Sequence, residues 1–143
     1  MSEQKSKNNQ LKTAIGVIVG ILTYFLVNHF LFAPPSFDKV LMTTASELNK
    51  SLPLMVDRDT QLDNTIALPN NVFQYHYTLI NSVIDKIEIK KMEEFLEEQL
   101  LNNIKSNPDL KTFRDNNVTM NYSYKDKNGE FITKISITPD EYK

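Results

Sequence analysis

Val72-Phe73-Gln74-Tyr75-His76-Tyr77-Thr78-Leu79-Ile80-Asn81 is the stretch on which the fold turns. Phe73, Tyr75, Tyr77 and Leu79 fall on one side of an extended chain. Val72, Gln74, His76, Thr78 and Ile80 fall on the other. Period two in a run rich in aromatic and β-branched side chains specifies a strand. Residues 62–68 form a second strand just upstream, and Pro69-Asn70-Asn71 supplies the turn that makes the two an antiparallel hairpin. A second hairpin closes the chain. Val118, Met120, Tyr122 and Tyr124 alternate with polar residues, as do Phe131, Thr133, Ile135 and Ile137, and Asn128-Gly129 between them is a strong hairpin signal.

Helices flank these strands. Pro34-Pro35 and Ser36 open an amphipathic helix in which Phe37, Val40, Leu41, Thr44 and Leu48 recur at helical spacing to about Lys50, before Pro53. Residues 82–89 read as a connection holding a short strand. Lys90 to Ser106 is a second helix with Met92, Phe95, Leu96, Leu100 and Ile104 as its apolar stripe. Glu93, Glu94, Glu97 and Glu98 lie early in it, where negative charge suits the helix dipole. Asn107-Pro108 starts a short helix through Leu110 and Phe113. The order α-β-β-α-α-β-β predicts an α+β domain: a four-stranded antiparallel sheet with helices on one face.

Before this domain the chain changes character. Residues 1–12 are polar, with Lys5, Lys7 and Lys12 against Glu3. Ala14 to Ala33 is then uncharged over twenty residues, long enough as a helix to cross about 30 Å of hydrocarbon. A core helix of this kind would need a larger domain around it. A cleaved signal peptide is the rival, but Leu31-Phe32-Ala33-Pro34-Pro35 lacks small residues three apart and puts proline after the only cleavage point. The expected organisation is a cytoplasmic tail over 1–12, a transmembrane signal anchor over 13–33 and an extracytoplasmic domain over 34–143, by the positive-inside bias. Gly16 and Gly20, with Thr23 a turn later, give a small-residue face for packing against another membrane helix.

Of the 143 residues 24% are charged and 41% apolar, as in a globular protein, and the net charge of −2 implies no nucleic-acid affinity. Cysteine is absent, which excludes disulfides, thiolate metal sites and a cysteine nucleophile; two histidines make an imidazole-built zinc site a poor fit. Asp57, Asp59 and Asp63, with Arg58 among them, make the densest cluster of charge. Leu62 stands where a calcium loop of the EF-hand type needs glycine, and Leu68 where it needs glutamate, so the segment reads as a turn-rich loop. Gly-rich phosphate loops, GxSxG and HExxH are absent. Sequons at Asn49, Asn117 and Asn121 are candidate glycan sites only in a eukaryotic secretory protein, and in an asparagine-rich chain they otherwise arise by chance. Tyr75, Tyr77, Tyr122 and Tyr124 are either core packing or, on a face free of helices, an aromatic platform for a partner.

Leu52-Pro53-Leu54-Met55-Val56-Asp57 with Thr60-Gln61-Leu62-Asp63 make a P-x-M-V-D-x-x-T-x-L-D motif. Tyr75-His76-Tyr77-Thr78-Leu79-Ile80-Asn81, Leu100-Leu101-Asn102-Asn103-Ile104, Asn107-Pro108-Asp109 and Ile135-Ser136-Ile137-Thr138-Pro139 follow in order. On these residues the chain, from about Thr44 onward, resembles a family of small bacterial exported or membrane-anchored proteins of uncharacterised function. Members carry arginine at the position of Gln61, so a role for that charge does not transfer. The resemblance implies an envelope location and no reaction. The expectation is a single-pass inner-membrane protein whose periplasmic domain is a non-catalytic binding or assembly module. It would need no cofactor or metal and would have a membrane or envelope protein, or a second copy, as partner. Two alternatives differ in class: a membrane-tethered hydrolase using Asp57, Asp59 or Asp63 with His76, and a secreted domain released by cleavage.

Overall fold

The computed structural model describes residues 37–143. In chain order the elements are α1 (Phe37–Asn49), β1 (Leu54–Met55), β2 (Thr60–Leu68), β3 (Val72–Leu79), α2 (Ile89–Ser106), α3 (Lys111–Asp115), β4 (Thr119–Asp126), β5 (Phe131–Ile137) and α4 (Pro139–Tyr142), with 3-10 turns at Ile84–Lys86 and Pro108–Leu110. The expected span over 13–33, with Gly16, Gly20 and Thr23, lies outside the described residues. Among those described, no helix is long and apolar enough to cross a membrane.

Both hairpins form, β2 with β3 and β4 with β5, each antiparallel. The sheet they build is mixed and five-stranded, in the order β1-β2-β3-β4-β5, rather than four-stranded and antiparallel. The difference lies in how the hairpins are joined. Eight-residue β3 spans about 26 Å, and 18-residue α2 rises about 27 Å. One helix therefore carries the chain back to the end of the sheet where β3 began. Thr119 then lies beside Val72, its N–H 2.9 Å from the Asn71 carbonyl, and β4 runs parallel to β3. Parallel neighbours require such a crossover.

Other departures are local. Residues 84–86 are a 3-10 turn rather than a strand, and the Ile84 N–H is bound at 3.0 Å by the carboxylate of Asp126. Strand β1 pairs Leu54 and Met55 with Leu62 and Gln61 at the sheet edge. Next to it the edge of β2 is closed by a side chain: Asn49 accepts the Thr65 N–H and donates to the Thr65 carbonyl, both at 2.8 Å. An amide held this way does the work of a paired strand residue and leaves that edge unavailable for pairing at Thr65. The terminal turn α4 carries a capping box between Thr138 and Glu141, and Tyr142 donates to the Val118 carbonyl at 2.9 Å.

The core lies between the helices and one face of the sheet. Leu41 and Ala45 of α1, Ile104 of α2 and Phe113 of α3 meet Phe73, Met120, Tyr122, Ile135 and Ile137. Arg114 holds the end of α2, its guanidinium donating to the carbonyls of Ile104 (2.5 Å) and Asn107 (2.7 Å). Glu93 accepts a hydrogen bond from Thr133, which ties one member of the acidic cluster to β5.

Candidate functional site

The parallel register sets Tyr75 beside Tyr122 and Tyr77 beside Tyr124. All four rings therefore share a face, and it is the helix-bearing one. They stack on one another: Tyr75–Tyr122 and Tyr77–Tyr124 centroids are each 5.1 Å apart at 10° and 16°, and Tyr75–Tyr77 and Tyr77–Tyr122 lie at 6.3 and 6.4 Å. The tyrosines are thus not an open platform. Their ring faces are spent on each other, and Tyr122 and Tyr124 are only 4% and 5% exposed. Burial raises the phenols, Tyr77 to about 12 and the others further, so all four stay neutral at physiological pH.

The aspartates of the motif loop part company. Asp57 Oδ1 accepts the N–H groups of Asp59 and Thr60, both at 2.8 Å, which makes a tight Asx turn. Those bonds, led by the Asp59 amide, hold its carboxyl below the ordinary carboxylate value. Asp59 accepts from Asn81 at 2.6 Å. A bulge in β2 turns Asp63 to the other face of the sheet, where Thr78 (2.6 Å), Gln61 (2.8 Å) and Lys125 (3.1 Å) bind it. Burial pushes Asp63 up, but these three donors outweigh it and its carboxyl is lowered. Arg58 is exposed in the same loop.

His76 shares that second face with Gln74 and Asn121. A chain of side-chain hydrogen bonds crosses three strands: Ser136 to Asn121 (2.7 Å), Asn121 to Gln74 (3.4 Å), and Gln74 to a ring nitrogen of His76 (2.9 Å). Burial lowers the imidazole, and Asp63 only partly offsets this. Asp63 alone of the three aspartates shares a face with His76, so the convergence a hydrolase would need is not formed. Two of the sequon asparagines, Asn49 and Asn121, have their amides engaged inside the fold.

A groove of about 380 Å³ lies where the helix layer stops short of the sheet. Met92, Leu96 and Leu100 of α2 form one wall and Val56 with Asp57 the other, over a floor of Tyr77, Leu79 and Tyr124. Phe95 stands at its rim, 62% exposed. Leu54 of β1, exposed and in register with Leu62 and Tyr77, lies on the same sheet face as the groove. An exposed phenylalanine beside an apolar cleft is what a protein-binding surface presents. Reading Phe95 as part of the core stripe missed this, although a signal was there. At about 100° per residue, Phe95 lies opposite Ile104 on the helix, and Ile104 is fully buried.

A family model covers residues 36–133, which spans α1 through the start of β5 together with the groove and the motif loop. The chain belongs to the DUF8479 family. That family is a domain of unknown function. No curated protein matches the chain by sequence.

Solved structures similar to the DUF8479 chain come from three bacteria. A Pseudomonas aeruginosa protein assigned as secreted superposes with a TM-score of 0.62 at 15% identity, over 75% of this chain and 93% of that one. The pilotin EpsS of the Vibrio vulnificus type 2 secretion system gives 0.60 at 9% identity, over 75% and 92%. The type II secretion system pilotin AspS of Vibrio cholerae gives 0.59 at 12% identity, over 79% and 98%. At such identities the fold is what the DUF8479 chain shares with them, and a fold by itself assigns no activity.

Proposed function

We propose that this chain is a non-catalytic accessory module of the bacterial envelope. The domain sits on the periplasmic side, held at the inner membrane by the apolar run 14–33, and seats an apolar segment of an envelope protein in the groove between α2 and the β1–β2 loop. The observation that carries the proposal is Phe95, an exposed aromatic at the rim of a groove with an apolar wall. Likeness in fold to two type II secretion pilotins and to a protein assigned as secreted supports an envelope role. Asp57 and Asp59 lie apart from His76, and Asp63, which shares its face, is engaged by Thr78, Gln61 and Lys125, which supports binding over hydrolysis. The motif loop, which supplies Val56 and Asp57, then serves as one jaw of the groove.

The test is affinity purification of the full-length protein from its native membrane in mild detergent, with mass spectrometry of what accompanies it. Wild type and Phe131→Glu, which alters an equally exposed phenylalanine (61%) on the other sheet face, should recover one envelope protein in near-stoichiometric amount. Phe95→Glu should lose it. Equal recovery by all three proteins contradicts the proposal.

A further inference from the structure

We infer that the segment seated in the groove carries a lysine or arginine that pairs with Asp57, an inference that rests on the groove being a binding site. Asp57 lines the groove beside apolar side chains. Two amide bonds to Oδ1 fix its carboxylate in place, so it cannot swing away when something docks. Its charge is felt across the groove floor, where it adds to burial and to Tyr77 in raising the Tyr124 phenol. Yet among the described residues no cation answers it. Among the described residues the ion pairs join Lys50 to Glu47, Lys91 to Glu88, Lys111 to Asp115 and Lys125 to Asp63, and neighbouring Arg58 forms none with Asp57.

A fixed carboxylate at the lip of an apolar cleft discriminates between occupants. A purely apolar segment would strip water from the charge without replacing it, which is costly. An acidic segment would add repulsion between like charges. A segment that sets a basic side chain beside its apolar anchors satisfies both walls at once, and rim charges of this kind serve specificity more than affinity.

The experiment uses the full-length protein in lipid nanodiscs and two short fluorescein-labelled peptides. They share a Leu-Phe-Leu centre and differ in having lysine or glutamate on either side; anisotropy reports binding. The lysine peptide should bind about fivefold more tightly than the glutamate peptide, the worth of one exposed ion pair, and its advantage should shrink as salt is added. Asp57→Asn keeps an oxygen for the Asp59 and Thr60 amides and should bring the two peptides within about twofold, the residue of an exposed pair's worth once the charge is gone. If both peptides bind equally to wild type and Phe95→Glu abolishes both, the groove is a binding site and the role of Asp57 is overturned. If neither binds, or Phe95→Glu leaves binding unchanged, the groove proposal fails and this inference with it.

Discussion

Replacing Tyr122 by alanine should lower the stability of the domain by about 3–5 kcal/mol, the range for emptying a large aromatic site. Replacing it by phenylalanine should cost less than about 0.5 kcal/mol, because among the described residues the hydroxyl has no hydrogen-bond partner to lose. Tyr122 is 4% exposed and stacks on Tyr75 and Tyr77, so alanine removes both buried area and aromatic pairing in the middle of the ladder. Urea denaturation of the three proteins measures the difference. A large loss with phenylalanine would mean that the hydroxyl, not the ring, does the work.

The same ladder sets an alkaline limit. An unfolded tyrosine ionises near pH 10, whereas burial holds Tyr77 near 12 and Tyr75, Tyr122 and Tyr124 higher. A raised pKa in the folded state contributes stability that is complete below the unfolded value and is lost as pH rises toward the folded one. Phenolate absorbance should therefore appear together with loss of circular dichroism above about pH 10. Ionisation of these tyrosines near pH 10 with the fold intact would contradict the ladder.

Asp126→Ala is expected to lower Tm by about 10 °C or more, a large shift for a domain of this size. Asp126 is 1% exposed, and its carboxylate accepts N–H groups from Ile84 (3.0 Å), Asn128 (2.7 Å) and Glu130 (3.0 Å). It thereby joins the β4–β5 turn to the 3-10 turn after β3. Alanine would leave these amides without their acceptor. Burial alone would raise the Asp126 carboxyl, but the amides of Ile84, Glu130, Asn128 and Gly129 outweigh it and hold it below 3.8. A lowered carboxyl contributes stability above its unfolded value and gives it up as pH falls through the folded one. Wild type should thus weaken relative to Asp126→Ala only below about pH 4. An unchanged Tm in the variant would refute this role.

Much of the scaffold was legible because it is written in short-range pattern. The alternation over 72–79 and 133–137, the Asn-Asn and Asn-Gly turns, and the boundaries of α1 and α2 are local signals. A register shift at the start of β5, by contrast, buries Ile132 and turns Phe131 away from the face it would share with Thr133. The parallel pairing of β3 and β4 is not local: it follows from the match between the length of α2 and that of the strand it crosses. Which sheet face carries helices was equally hidden, since Gln74, His76 and Thr78 alternate with Tyr75 and Tyr77 without saying which side is covered. Asn49 bonding to Thr65, sixteen residues away, has no sequence signature at all. The groove was half legible. Phe95 reads as a member of the apolar stripe and only its helical angle opposite Ile104 sets it apart, while the jaw opposite it is made by Val56 and Asp57, from a loop that reads only as turn chemistry.

The most direct test of the central claim is site-specific photocrosslinking in the native membrane. A benzophenone amino acid is placed at Phe95 in one protein and at Phe131 in another. Both sites are solvent-exposed, on opposite faces of the sheet, so neither replacement should disturb folding. The groove account predicts a discrete adduct with one envelope protein from position 95 and none from position 131. Adducts from 131 alone, or from both positions alike, would contradict it.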